Sequence, residues 1–431
     1  MATLETPASI RQLQRALYRR AKSEPRFRAY ALYDKVYRPD VLAHAYALAK
    51  ANGGAAGPDG RTFADIEAEG RDRVLAELRE ELQTKTYRPG PVRRVFIPKL
   101  GGGERPLGIP NIRDRVVQTA VKLWLEPLFE ADFDADSYGF RPRRSAHDAL
   151  DAVATALHHG MVWVIDADVT AYFDTIPHDR LMQTVAQRVV DGAMLALVKR
   201  FLDAPIIDDD RGDGRPQRPR QGTPQGGVIS PLLANVYLDL LDRNFRRQVQ
   251  RGTLSGRLVR YADDFVLLTP RRPDRELRWL QRLMARLGLT LHPDKTRVLD
   301  VRRTDFVFLG HTHRWQGGRV YLDIAPRALR RMRDQLRRRT HRPDQSLPQV
   351  IAALNPYIRG ARQYFRRVRR RTLNKLDHFV KQRIAYWWRR KHRCRYPAWS
   401  LVSRPDFHRA HGLAQWNLPV ALRPADSRRT R

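Results

Sequence analysis

Two apolar runs, Leu258-Val259 and Phe265-Val266-Leu267-Leu268, are joined by Arg260-Tyr261-Ala262-Asp263-Asp264. Short apolar runs about a tight turn read as a β-hairpin. Strands this apolar must be buried, so the chain is committed to a sheet core with two adjacent carboxylates at one strand end. Upstream, Met161-Val162-Trp163-Val164-Ile165 reads as another buried strand, and Asp166 and Asp168 follow directly. Asp is common at turns because its side chain caps turn amides. Turn capping is the role expected of Asp166. Capping accounts for one Asp at each place, not for two acidic strand ends.

The rest of the composition makes these carboxylates stand out. The chain carries 81 Lys and Arg against 46 Asp and Glu, a formal net charge of +35 over 431 residues. Such a charge calls for a polyanionic partner, and nucleic acid is the expected one. Carboxylates clustered at a sheet end repel one another, and a hard divalent cation with oxygen ligands resolves this. Two such ions can activate a hydroxyl and stabilise a phosphoryl leaving group. The residues thus point to phosphoryl transfer on nucleic acid, with polymerase and nuclease both open. One cysteine, Cys394, excludes a disulfide framework within the chain and a Cys-rich zinc site. No apolar run reaches the ~18 residues of a membrane span, and the first thirty residues lack a secretory apolar stretch. An intracellular, reducing, cytoplasmic setting is therefore expected.

Along the chain, helices are predicted over 8–24, 28–50, 71–84, 113–130 and 229–246, and strands over 92–99, 291–301 and 306–309. Between 326 and 395 the composition shifts: 23 Lys and Arg stand against three Asp, so +20 of the +35 lies here. Three helical segments, 326–340, 347–369 and 371–391, interleave these charges with Leu336, Ile351, Leu354, Tyr364, Leu373, Leu376, Ile384 and Trp387. A solvated charge run would lack such positions, so a folded basic helical domain is predicted, with aromatics such as Tyr364 and Trp387 serving mostly as core. The last 36 residues are weakly patterned.

Two further features lean toward polymerase. Lys99 and Arg105 flank Gly101-Gly102-Gly103, an arrangement able to fold two cations over a triphosphate. Gln221-Gly222-Thr223-Pro224-Gln225-Gly226-Gly227 runs into Val228-Ile229-Ser230-Pro231, a Gly-rich loop where backbone can approach a ligand closely.

Taken together, the sequence resembles reverse transcriptases of the group II intron type. Tyr261-Ala262-Asp263-Asp264 is similar to their Tyr-x-Asp-Asp hairpin, and further blocks occur in the family's order. These are Gly57-Pro58-Asp59-Gly60, Ile97-Pro98-Lys99, Arg105-Pro106-Leu107-Gly108-Ile109-Pro110 and Tyr138-Gly139-Phe140-Arg141-Pro142. Asp168-Val169-Thr170-Ala171-Tyr172-Phe173-Asp174, the Gln221–Pro231 loop, Gly288 to Thr296 and Phe308-Leu309-Gly310 complete the series. Leu354 to Gly360, Tyr364-Phe365 and Trp387 to His392 resemble the maturase-specific, or X, thumb domain.

The resemblance implies an α+β right-hand fold of fingers and palm followed by a helical thumb. It divides the chain into an N-terminal helical extension (1–56), fingers and palm (57–322), a thumb (323–395) and a short tail (396–431). It implies that Asp168, Asp263 and Asp264, with the Val169 carbonyl, hold two Mg²⁺ ions. Phe173 becomes a steric gate against the ribose 2′-hydroxyl. Lys99 and Arg105 bind the triphosphate, Gln225 lines the nucleotide pocket, Arg141 contacts template or nucleotide, and Lys295 supports the carboxylates. Arg366, Arg367 and Arg370 are the thumb's expected nucleic-acid contacts. The expected partners are an RNA template (group II intron RNA), a DNA or RNA primer and dNTPs, with no membrane. One Cys and 36 trailing residues do not suffice for the HNH endonuclease domain of many intron-encoded relatives, so none is expected. The rival functions are a domesticated enzyme of phage defence, repair or CRISPR spacer acquisition, and an RNA-binding splicing factor with an inert polymerase core.

Overall fold

The computed structural model describes residues 4–98, 103–208, 215–396, 398–404 and 406–417. Its ten strands are β1 (Val92–Pro98), β2 (Glu104–Ile109), β3 (Trp163–Ala167), β4 (Ile206–Asp208), β5 (Arg257–Tyr261), β6 (Asp264–Thr269), β7 (Arg297–Asp300), β8 (Phe306–Phe308), β9 (His311–Gln316) and β10 (Arg319–Ile324). They form three sheets, ordered β2-β1-β4, β5-β6-β3-β7 and β10-β9-β8. With the helices around them, the class is α+β. None of the described helices is long and apolar enough to cross a membrane.

The chain divides into two compact units. The first comprises Met1–Ala149, Ile165–Leu267 and Pro273–Arg297. Its central helix, Ile112–Glu130, is buried on nearly every side through Val116, Val117, Ala120, Val121, Trp124, Leu125 and Leu128. Helices Ala8–Ser23 and Pro39–Asn52 lie against it. The single helix predicted over 28–50 is broken here. Arg38 is extended because it precedes Pro39, and Pro39 then takes the first helical turn, where its missing N–H costs nothing. β1 pairs antiparallel with β2, Ile97 opposite Arg105, around the expected tip. β1 also pairs parallel with β4. The strand expected over 291–301 shrinks to β7. The His292 carbonyl accepts from the Lys295 and Thr296 N–H groups at 3.3 and 2.9 Å, which makes a turn of the preceding residues.

The second unit comprises Leu150–Val164, Leu268–Arg272 and Val298–Arg431. Within it β8, β9 and β10 form an antiparallel meander. Three basic helices follow, Pro326–Arg339, Leu347–Tyr364 and Arg370–His392. Leu336, Ile351, Leu354, Leu373, Leu376, Ile384 and Trp387 are buried in one cluster, as their spacing predicts. Tyr364 departs from that expectation. It is exposed and donates its hydroxyl to the Leu309 carbonyl at 3.0 Å, because the helix ends there and Phe365 turns into the core instead. The cluster also reaches beyond residue 395. Val402, Phe407, Leu413 and Trp416 belong to it, carried by the short helices Trp399–Val402 and Phe407–Ala410 and the segment after them.

Candidate active site

Everything that brings the carboxylates together lies at two turns of the first unit. β5 and β6 close on Ala262 and Asp263, with Ala262 at φ 59°, a left-handed conformation that residues with a Cβ rarely adopt. Gly139 makes room for this turn, since a Cβ there would lie 2.3 Å from the Ala262 nitrogen. The second turn follows β3. The Thr170 N–H donates to the Thr290 carbonyl at 2.9 Å, and the Asp168 carbonyl accepts from the His292 N–H at 2.8 Å. These bonds leave Val169 as the unbonded pair opposite Leu291, so its own carbonyl faces away from that segment. Ala171, also left-handed at φ 45°, then starts the helical turn Tyr172–Thr175.

In the sheet, β6 neighbours β3, so Asp264 and the Asp166–Asp168 pair come from adjacent strands. Asp264 keeps solvent access, yet protein surrounds its carboxyl. Desolvation, then the charges of Asp263, Asp166 and Asp168, push it up to about 7, against the opposing pull of Lys295. Burial likewise raises Asp263, with Asp168 adding to the shift and Arg105 opposing it. Asp166 is pushed up to about 6, first by burial and then by Asp168, with Arg297 opposing. Asp264 therefore senses the charge of the other three carboxylates, and Asp168 is felt at each of its neighbours. Lys295 Nζ donates to Asp168 Oδ2 at 2.7 Å, a cation already seated at one of them.

The turn-capping role expected of Asp166 is corrected by the structure. Asp166 lies inside β3 and makes no capping hydrogen bond among the described residues, and its position two before Asp168 puts both on one strand face. Its apolar neighbours placed it at a strand end, but only pairing with β6 shows that the strand continues through it.

Arg141 is also corrected. It is buried, and its guanidinium donates to Glu130 Oε2 and Oε1 at 2.9 and 2.7 Å and to the carbonyls of Asp134 and Ser137 at 2.5 and 2.6 Å. With four of its five N–H groups engaged in this way, Arg141 braces the loop behind the hairpin.

The remaining expected residues are arranged as follows. Phe173 is half-buried beside Tyr172, which takes the core position and donates its hydroxyl to the Ala234 carbonyl at 2.6 Å. The Phe173 carbonyl accepts from the Thr223 N–H at 2.7 Å, so the Gly-rich loop lies against it. In that loop the Gln225 carbonyl accepts from the Gly108 N–H of β2 at 2.5 Å. Arg105 is exposed on β2 with its charge felt at Asp263. Lys99 lies outside the described residues. In the second unit, Arg366 and Arg370 are exposed, while Arg367 pairs with Asp151.

A hard-oxygen cluster of this kind matches what a divalent cation such as Mg²⁺ takes. Among the described residues no three His, Cys, Asp or Glu side chains already surround one metal-sized point, in keeping with Lys295 drawing on Asp168. The fit therefore rests on the donor chemistry and on the mutual repulsion that a bound cation would relieve.

The sequence of residues 97–313 matches the family described as reverse transcriptase (RNA-dependent DNA polymerase). The chain belongs to the reverse transcriptase family. Residues 329–403 of this reverse transcriptase match the group II intron, maturase-specific domain. It is 36% identical over 345 residues to Protein YkfC of Escherichia coli (strain K12), covering 70% of this chain and 87% of that protein. It is also 36% identical over 214 residues to the group II intron-encoded protein LtrA of Lactococcus lactis subsp. cremoris, covering 49% of this chain and 34% of LtrA. Among solved structures, telomerase from Candida albicans aligns with a TM-score of 0.45 at 11% identity, over 71% of this chain and 60% of that one. The reverse transcriptase is thus of the group II intron type and stands among the RNA-directed DNA polymerases.

Sequence reasoning missed the support beneath the hairpin: Arg260, Asp242, Asn235 and Gly139. The local signal was an arginine set between the apolar pair Leu258-Val259 and the acidic turn. Its partner Asp242 is 18 positions away on another element.

Proposed function

We propose that this reverse transcriptase adds deoxynucleotides to a primer 3′-hydroxyl on an RNA template, that of its own intron, with Asp168, Asp263 and Asp264 holding two Mg²⁺ ions. The observation that carries this reading is the mutual charge coupling of the carboxylates on β3 and β6 in a chain of +35. When bound, such ions lower the pKa of the attacking hydroxyl and offset charge on the departing pyrophosphate. The chain's own part is to present oxygens. Asp263 and Asp264 come from the hairpin, Asp168 and the Val169 carbonyl from the turn after β3. Lys295 holds Asp168 in place through its bond to Oδ2. Arg105, with Lys99, offers positive charge to the triphosphate.

The half-buried ring of Phe173 makes the gate testable. A packing residue would be buried like Tyr172, whereas a gate has to face the nucleotide. Phe173→Ala is expected to raise ribonucleotide incorporation by at least about tenfold, because a clash is relieved by truncation. Single-nucleotide addition with matched ribo- and deoxynucleotides measures this. Equal discrimination by variant and parent would make Phe173 a packing residue.

For the basic helical unit, intron RNA is the proposed partner. Arg366→Ala and Arg370→Ala are expected to flatten the salt dependence of RNA binding by about one unit for each phosphate no longer neutralised. Arg367→Ala should do less, since Asp151 already takes that charge. Binding titrations at several salt concentrations decide it, and an unchanged slope for both exposed arginines would remove them from the interface. The proposal as a whole is tested by primer extension on an RNA template, with and without Mg²⁺.

A further inference from the structure

Arg260, the residue before the Tyr261-Ala262-Asp263-Asp264 turn, is 0% exposed. A guanidinium stripped of water is among the most demanding groups to bury and persists only when its hydrogen bonds are met. Here they are met in a particular way. Nε lies 3.0 and 2.9 Å from Asp242 Oδ1 and Oδ2, and Nη2 lies 2.5 Å from Oδ2. Asp242 is itself buried. The third nitrogen, Nη1, turns the other way and donates at 2.9 Å both to Asn235 Oδ1 and to the carbonyl of Ala262. Ala262 is the left-handed residue of the turn that carries Asp263 and Asp264. Asn235 completes the frame by donating to the Gly139 carbonyl at 2.7 Å, next to the point where Gly139 lies under the turn.

We propose that Arg260 is a positioning residue for the reaction: anchored by Asp242 and Asn235, it holds the Ala262 carbonyl and thereby the aim of Asp263 and Asp264. This rests on the reading that those two carboxylates hold the metal ions. The geometry argues against a plain core ion pair, which would need only Asp242. A strained turn persists where its surroundings over-determine it, and the Ala262 carbonyl is where Arg260 does so. Lysine cannot take over the role. Its compact ammonium can keep a charge opposite Asp242 but lacks the planar fork that reaches acceptors on two sides.

The test compares the full-length parent with Arg260→Lys, Asn235→Ala and Asp263→Asn. Thermal unfolding and RNA affinity report folding. Single-nucleotide addition gives kcat and KM for dNTP, and electron paramagnetic resonance of Mn²⁺ reports metal binding without substrate. Arg260→Lys is expected to fold and bind RNA like the parent. Its kcat should fall about 10- to 100-fold, as for other residues that orient metal ligands, with KM for dNTP nearly constant and Mn²⁺ binding weakened. Asn235→Ala should move the same readouts in the same direction by less. A folded Arg260→Lys with parental kcat and Mn²⁺ binding would overturn the proposal. Should Arg260→Lys not fold, Asn235→Ala decides alone, and parental values there would overturn it equally. Parental kcat in Asp263→Asn would instead overturn the metal reading beneath it.

Discussion

Asp263→Asn is expected to lower primer extension by at least about 10³-fold, the loss that follows from several kcal/mol of metal-derived transition-state stabilisation. Asp168→Asn should do the same. RNA affinity should stay at the parental value in both, because the positive charge that draws RNA is untouched. Stability should not fall either. Asp263 raises its neighbour Asp264, so removing one charge relaxes a repulsion already present in the fold. The Lys295 pair removed in Asp168→Asn is solvent-exposed, and such pairs contribute at most about 1 kcal/mol. Steady-state extension on an RNA template, alongside thermal unfolding and RNA titration, measures all three. Extension by Asp263→Asn within tenfold of the parent would remove that residue from the chemistry. Loss of activity together with loss of folding would make it a structural residue.

The second large effect concerns stability. Trp416→Ala should cost about 3–5 kcal/mol in the helical unit, the range for deleting a buried aromatic. Trp416 is 1% exposed, and its backbone N–H donates to Asp377 at 2.8 Å. Nearby, Asn355 donates to the Gly412 carbonyl and accepts from the Ala414 N–H, which draws this segment onto the helix Leu347–Tyr364. The indole nitrogen is buried without a partner among the described residues, so Trp416→Phe should retain most of the stability. Ending the chain after residue 395 should be worse than Trp416→Ala, since Val402, Phe407 and Leu413 leave the core as well. Calorimetric or fluorescence-detected unfolding checks the series. A Trp416→Ala protein within about 1 kcal/mol of the parent would show that the core closes without this segment.

The boundary at 395 illustrates what a sequence hides. The three basic helices were legible because their apolar residues recur at helical spacing, and Ser346 with Gln349 forms a capping box at the start of the second. The segment after 395 has no such period. Its Trp and Phe become core residues only because helices already folded offer them a hollow. Two helices, Phe63–Glu69 and Ala146–His158, went unread although they carry a local signal: Thr62 with Asp65, and Ser145 with Asp148, hydrogen-bond reciprocally at their starts.

At the two acidic turns the same division holds. The hairpin, its two carboxylates and the acidic end of the neighbouring strand can be read from local sequence, because alternation of apolar runs and turn residues is a property of consecutive positions. Lys295 beside Asp168, 127 positions apart, was reachable only through the family resemblance. Tertiary structure alone decided which charges are tools and which are struts. Arg141 looked like a contact for substrate and is a brace. Arg260 looked like one more strand residue and lies at the centre of the support, and Asp166 belongs with the carboxylates it was set apart from. The role of a charged side chain depends on its remaining solvation and on the acceptors within about 3 Å of its atoms. Both are set by segments distant in the chain, which meet only when it folds.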